Sequence, residues 1–148
     1  MQRQRQLISR RRAIESDRGF LEDVHVAALG PVVLVGYGWV AERLRAQFHR
    51  EIDLANCEVI LVDALRAGYL SIEDRGSHWY IDAIAIAPKY QRKGVGAAAL
   101  SDVLATTGRV PVRLSVLVVN RARALYRRLG FEVIRTDGQR ELMEFRPR

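Results

Sequence analysis

The chain has 148 residues, of which 49% are hydrophobic, a net charge of +7 and a single cysteine, Cys57. That is enough apolar material for one compact domain. A lone thiol excludes a disulfide framework or a multi-cysteine zinc site, no other metal-ligand spacing stands out, and Cys57 reads as a small buried hydrophobe in a reducing compartment. No uninterrupted apolar run approaches the roughly 18 residues of a membrane span, and the basic start at residues 1–6 lacks the apolar stretch of a secretory signal. A cytoplasmic protein without a membrane partner is therefore expected.

Of the 24 basic residues 22 are arginine, and they are scattered along the whole chain. Such a balance attracts polyanions, but no nucleic-acid-binding module accompanies it. A non-enzymatic basic domain would explain the charge alone, and a nucleic-acid partner is not expected.

Residues 1–9 read as a polar tail and 10–148 as the domain. A short strand is predicted at 11–15. Residues 20–29 carry Leu21, Val24 and Ala28 at helical spacing before Gly30-Pro31, a helix-breaking pair. A second helix spans 39–52, with Val40, Leu44, Gln47 and Phe48 on one face. The period then changes to that of strands at 58–63 and 68–73, whose short connection predicts an antiparallel pair. After a turn at 74–77 comes a strand at 79–86, ended by Pro88. A helix at 96–106 turns Ala97, Leu100, Val103 and Leu104 inward. A strand at 112–119, a helix at 121–129 closed by Gly130, and strands at 131–134 and 141–145 complete the chain.

The stretch Ile84-Ala85-Ile86-Ala87-Pro88-Lys89-Tyr90-Gln91-Arg92-Lys93-Gly94-Val95-Gly96-Ala97 carries the clearest chemistry. A strand ends, a tight basic loop follows, and a helix of small residues begins. Glycines at 94 and 96 let backbone N–H groups meet a ligand without a side chain in the way. The helix N-terminus adds free donors and a partial positive charge, an arrangement suited to phosphates. It is not a P-loop, because no Gly-Lys-Ser/Thr follows at the required spacing.

A rival fingerprint lies upstream. Residues 32–41 read as a strand followed by Gly36-x-Gly38-x-x-Ala41, with a strand ending in Asp63 some way on. That is the pattern of a dinucleotide-binding protein. Against it, a short turn follows Asp63 in place of a helix and a parallel strand.

Further along, the run Val118-Val119-Asn120-Arg121-Ala122-Arg123-Ala124-Leu125-Tyr126-Arg127-Arg128-Leu129-Gly130-Phe131 again goes strand, turn, helix, Gly-Phe. With both motifs in order, the chain resembles the GCN5-related N-acetyltransferase family. The resemblance is firm over 79–134, softer over 58–78 and mostly topological over 10–57. It implies one α/β domain with a central mixed sheet of six or seven strands. That sheet would be splayed between the strands at 79–86 and 112–119, with helices on both faces.

The resemblance also implies roles. Ile84, Ala85 and Ile86 would offer backbone groups to the pantetheine arm of acetyl-CoA. Arg92, Lys93, Gly94, Val95, Gly96 and Ala97 would cradle its pyrophosphate. Asn120 would hydrogen-bond the cofactor near the splay, and Tyr126 would protonate the departing thiolate. Strand alternation predicts that Tyr80, Asp82, Ile84 and Ile86 share a face. Some family members place a Glu where this chain has Tyr80, which makes Asp82 the nearest carboxylate and the candidate general base, with Glu73 and His78 as rivals. Residues 31–41 would wall the acceptor site. The expected reaction is acyl transfer to a primary amine, on a small molecule or a peptide, with no metal. Homodimers are common in that family, and nothing in the sequence decides the point here.

Overall fold

The computed structural model describes residues 6–148. Seven strands form one sheet: β1 (Ile8–Arg12), β2 (Cys57–Val62), β3 (Leu65–Asp74), β4 (Trp79–Ile86), β5 (Val112–Leu117), β6 (Glu132–Asp137) and β7 (Arg140–Phe145), in the order β1-β2-β3-β4-β5-β7-β6. Every neighbouring pair is antiparallel except β4 with β5, which is parallel. Four helices complete the domain: α1 (Arg18–Tyr37), α2 (Ala41–Glu51), α3 (Val95–Thr106) and α4 (Ala122–Arg128).

The sheet separates two apolar layers. On one face Leu100, Val103, Tyr126 and Phe131 pack on Ile60, Leu70, Leu114 and Met143. On the other, Leu21 and Val24 of α1 and Phe48 of α2 pack on Val59, Tyr69 and Ala85. Farther along, Val33 and Leu44 meet Leu117 at the end of β5. Cys57 is 1% exposed, and burial pushes its thiol up to about 11, so it is a packed, protonated thiol.

The first third of the chain departs most from the sequence reading. The first strand begins at Ile8 rather than Arg11, which draws Ile8 and Ser9 out of the expected tail; residues 1–5 of that tail lie outside the described residues. The first helix does not stop at Gly30-Pro31 but runs on to Tyr37. Pro31 removes one backbone bond, to the carbonyl of Ala27, and both residues are exposed, so the loss falls on the solvent side. With its preceding turn this helix, Glu15–Tyr37, is long and apolar enough by composition to cross a membrane. Here Leu21, Val24, His25 and Val33 pack against the sheet and α2.

This helix also removes the dinucleotide-binding reading. The supposed strand at 32–35 is helical, and only residues 38–40 link α1 to α2. Gly38 ends α1 in the left-handed region at φ 71°, its N–H donating to Leu34 O at 2.9 Å. Gly36 sits where a Cβ would come within 3.1 Å of Leu117 Cδ1. Asp63 lies in the two-residue turn of the β2–β3 hairpin, where it and Ala64 both have positive φ.

Candidate active site in the splay between β4 and β5

The parallel pair is short. Trp79, Tyr80 and Ile81 face Val112, Arg113 and Leu114, and the pairing then stops. A β-bulge lies where the two strands part. Opposite β3, Ala83 pairs with Ser71 while Ile81 pairs with Ile72, leaving Asp82 as an extra residue on β4. A bulge bends its strand and reverses the alternation beyond it. Ile81, Ile84 and Ile86 consequently belong to one apolar layer, and Ala83 and Ala85 to the other. Tyr80, Asp82, Ile84 and Ile86 therefore do not share a face, because the expected two-residue period is interrupted at Asp82.

The free edge of β4 can be assigned residue by residue. Ala87 N donates to Ala67 O at 2.8 Å, and bonded pairs alternate along an antiparallel ladder. Ala85 and Ala83 thus direct their backbone groups to β3, while Ile84 and Ile86 direct theirs into the gap. Of the three residues expected to line a cofactor arm with backbone groups, Ala85 is the one turned away. Ile86 O is already bound by Gln91 Nε2 at 2.9 Å.

At the far end of β4 the basic loop leads into α3. Arg92 and Gly94 both lie in the left-handed region, at φ 62° and 78°, and no side chain caps α3. The N–H groups of Val95, Gly96 and Ala97 are left without helical partners, as the first turn of any helix requires. A Cβ at Gly94 would meet nothing within 4 Å, and one at Gly96 nothing closer than 3.7 Å, so the loop is open. Arg92 and Lys93 are exposed and form no salt bridge among the described residues.

The opposite wall comes from β5 and α4. Asn120 Oδ1 accepts from Ala122 N at 2.9 Å and begins the helix, which leaves its amide N–H groups for other partners. Arg123 ion-pairs with buried Glu141 and donates to Val118 O at 3.0 Å, tying α4 to β5 and β7. Gly130 has φ 106°, and Phe131 N donates back to Tyr126 O at 3.0 Å, closing α4. Phe131 then packs edge-on against Tyr126 at 5.9 Å. The Leu-Gly-Phe run thus fixes the ring of Tyr126, whose hydroxyl burial pushes up to about 12.

Asp82, Ile84, Asn120 and Tyr126 line one cleft of about 130 Å³. The Asp82 carboxyl is 38% exposed and lies 3.8 Å from Arg75. Burial raises its pKa above the ordinary carboxylate value, Glu73 raises it further and Arg75 opposes both. Glu73 pairs with Arg75 at 3.5 Å. His78 does not reach this cleft; it lines a neighbouring hollow, and burial together with Arg113 and Arg75 lowers its pKa.

The sequence reading missed His25. It is 8% exposed, lines the same cleft, and burial lowers its pKa to about 4. Its position one helical turn after Leu21, on the apolar stripe of α1, was the available signal. Of the segment 31–41, Val32 and Val33 line the cleft, whereas Trp39 stacks under Arg43.

A mixed sheet that opens between its two parallel strands, with an uncapped helix N-terminus at the open end, defines an α/β fold with a cofactor cleft through its sheet. A family model described as the acetyltransferase (GNAT) domain matches residues 24–133. The chain belongs to the GNAT acetyltransferase family, whose general chemistry is acyl transfer from acetyl-CoA. No curated protein sequence matches the chain. Among solved structures, the PaiA N-acetyltransferase of Thermoplasma acidophilum, in complex with coenzyme A, is 19% identical with a TM-score of 0.74, covering 95% of this chain and 99% of that one. An acetyltransferase of Thermus thermophilus is 17% identical with a TM-score of 0.73, covering 95% and 97%. At these identities the likeness is one of fold.

Proposed function

We propose that the chain transfers an acetyl group from acetyl-CoA to a primary amine by direct attack, with Asp82 and Tyr126 moving the protons. The observation that carries this reading is the succession of three features along the gap between β4 and β5. They are the free backbone of Ile84 and the free N–H of Ile86, the uncapped start of α3 beyond them, and Tyr126 on the facing wall of the cleft. The coenzyme A held by the similar Thermoplasma protein supports it.

Acetyl-CoA supplies the acyl group as a thioester and leaves as a thiolate. Arg92, Lys93, Gly94, Val95, Gly96 and Ala97 hold its pyrophosphate through backbone N–H groups and local positive charge. Ile86 offers its N–H and Ile84 its carbonyl to the pantetheine amides, as an edge strand would. Asn120 donates through its free amide. The N–H of Ile84, the free one nearest the bulge, provides a donor where negative charge develops on the carbonyl oxygen.

As the amine nitrogen bonds to the acyl carbon, the C–S bond breaks. Asp82 accepts the proton the nitrogen sheds, and Tyr126 gives one to sulfur. A phenol with a pKa near 12 keeps its proton through the neutral range, so it is loaded when needed. Tyr126→Phe tests the assignment. We expect kcat to fall by about 10²-fold with acetyl-CoA affinity held; an unchanged kcat at saturating substrates contradicts it.

A further inference from the structure

Beside the cleft lies a second hollow that the chemistry above does not use. Helices α1 and α2 cover β2 to β4 and reach β5 only at its Leu117 end, so the same face of the sheet over the rest of β5, β7 and β6 is open. There a hollow of about 370 Å³ forms, with Arg75, Arg113, Arg135, Arg140 and Tyr80 in its lining and Asp137 as its only carboxylate. Arg113 is balanced by Glu144 and Arg75 by Glu73 and Asp82, which leaves Arg135 and Arg140 against Asp137 and gives the hollow a net positive charge.

Arg140 is the informative residue. It lines both the hollow and the cleft, so the two adjoin at its side chain. Its Nε donates to Ser115 Oγ at 2.8 Å, its Nη2 to Ser115 O at 3.0 Å and its Nη1 to Tyr37 Oη at 3.4 Å. All three acceptors are neutral. The guanidinium is therefore fixed in place without being neutralised. Arg135 likewise has no carboxylate partner among the described residues. Arg113 is paired with Glu144 at 2.7 Å, and Arg75 stacks 3.8 Å over the ring of Tyr80. Two held arginines and two uncompensated ones form a frame suited to the oxygens of a carboxylate or phosphate.

We infer that the amine acceptor carries an anionic group, a carboxylate or a phosphate, which Arg140 and Arg135 hold in this hollow while its amine reaches the cleft. This rests on the acetyltransferase reading and narrows it to a substrate class. It also argues against polyamines, which the same charges would repel.

The test is coenzyme A release at saturating acetyl-CoA with matched acceptors: 4-aminobutyrate against 4-aminobutanamide, phosphoethanolamine against ethanolamine, and putrescine as a cationic arm. We expect at least one anionic member to exceed its neutral mate in kcat/KM tenfold or more, the better pair telling carboxylate from phosphate. Arg140→Gln and the exposed Arg135→Gln should each cut that ratio severalfold, mainly through KM; a ratio within one variant cancels any general loss of activity. A panel in which no anionic member outpaces its neutral mate, or in which putrescine leads, overturns the inference, as does a ratio that both variants leave intact. Failure of acetyl-CoA itself to bind would instead strike the acetyltransferase reading.

Discussion

The hydroxyl of Tyr69 lies 2.6 Å from Nδ1 of His25, and Nε2 of the same ring is buried without a hydrogen-bond partner. The pair joins α1 to β3 beneath the cleft. Such a ring is held neutral, since protonation would bury a charge that nothing here offsets. With the folded pKa near 4 and an unfolded value of about 6.5, the unfolded chain binds more protons between the two. The stability from the neutral ring is whole above about 6.5 and is lost as pH falls toward 4, on the order of 3 kcal/mol across the window. Denaturation at stepped pH should show that decline, and His25→Phe should remove it. The same decline in the variant would contradict the assignment.

Asp82 gives a pH prediction for the rate. A base must be ionised, and this carboxyl titrates above the ordinary Asp value. The acidic limb of kcat/KM should fall as pH drops through that raised pKa. Asp82→Asn should lose the limb along with about 10²-fold in rate. A pH–rate profile in which the variant keeps the limb would move the role to another group or to water.

Arg92 is a non-glycine residue at φ 62° in the loop proposed to hold pyrophosphate. Left-handed backbone costs about 1–2 kcal/mol in a residue with a Cβ. Glycine relieves that strain and removes the charge. For Arg92→Gly we expect an unfolding midpoint equal to or above that of the parent, with weaker acetyl-CoA binding. Loss of stability, or unchanged affinity, would count against a functional reason for the strain.

Gly68 allows β3 to lie close to β4. A Cβ there would stand 2.3 Å from Ala85 O and 3.1 Å from Ile86 Cα, so backbone must move. Gly68→Ala should lower stability by about 1–3 kcal/mol and weaken acetyl-CoA binding, because Ile86 borders the gap. Urea denaturation with an unshifted midpoint would show that the strands yield more easily than this contact implies.

Much of this was legible in the residues. Local signals marked the elements from Cys57 onward: Pro88 after β4, Gly94 before α3 and Gly130 after α4 each sit where backbone geometry demands them. What escaped was tertiary. Gly30-Pro31 reads as a break, yet Pro31 is tolerated where its lost bond faces water. The Gly36–Gly38 pattern imitates a nucleotide fingerprint, yet one glycine makes room for Leu117 and the other caps a helix. The position of the bulge in β4, at Asp82, is one that no periodicity reveals, and it changes which side chains share a face. The cationic hollow gathers Arg75, Arg113, Arg135 and Arg140 from separate strands and a hairpin, so charge that is scattered in sequence becomes local only in the fold.

The central claim is that the gap between β4 and β5, with the loop beyond it, seats acetyl-CoA. Isothermal titration of the full chain with acetyl-CoA tests it most directly, with NADH as the control. We predict one site per chain for acetyl-CoA, weakening as salt is raised because phosphates are being held, and no binding of NADH. Absence of acetyl-CoA binding, or equal binding of NADH, would contradict it.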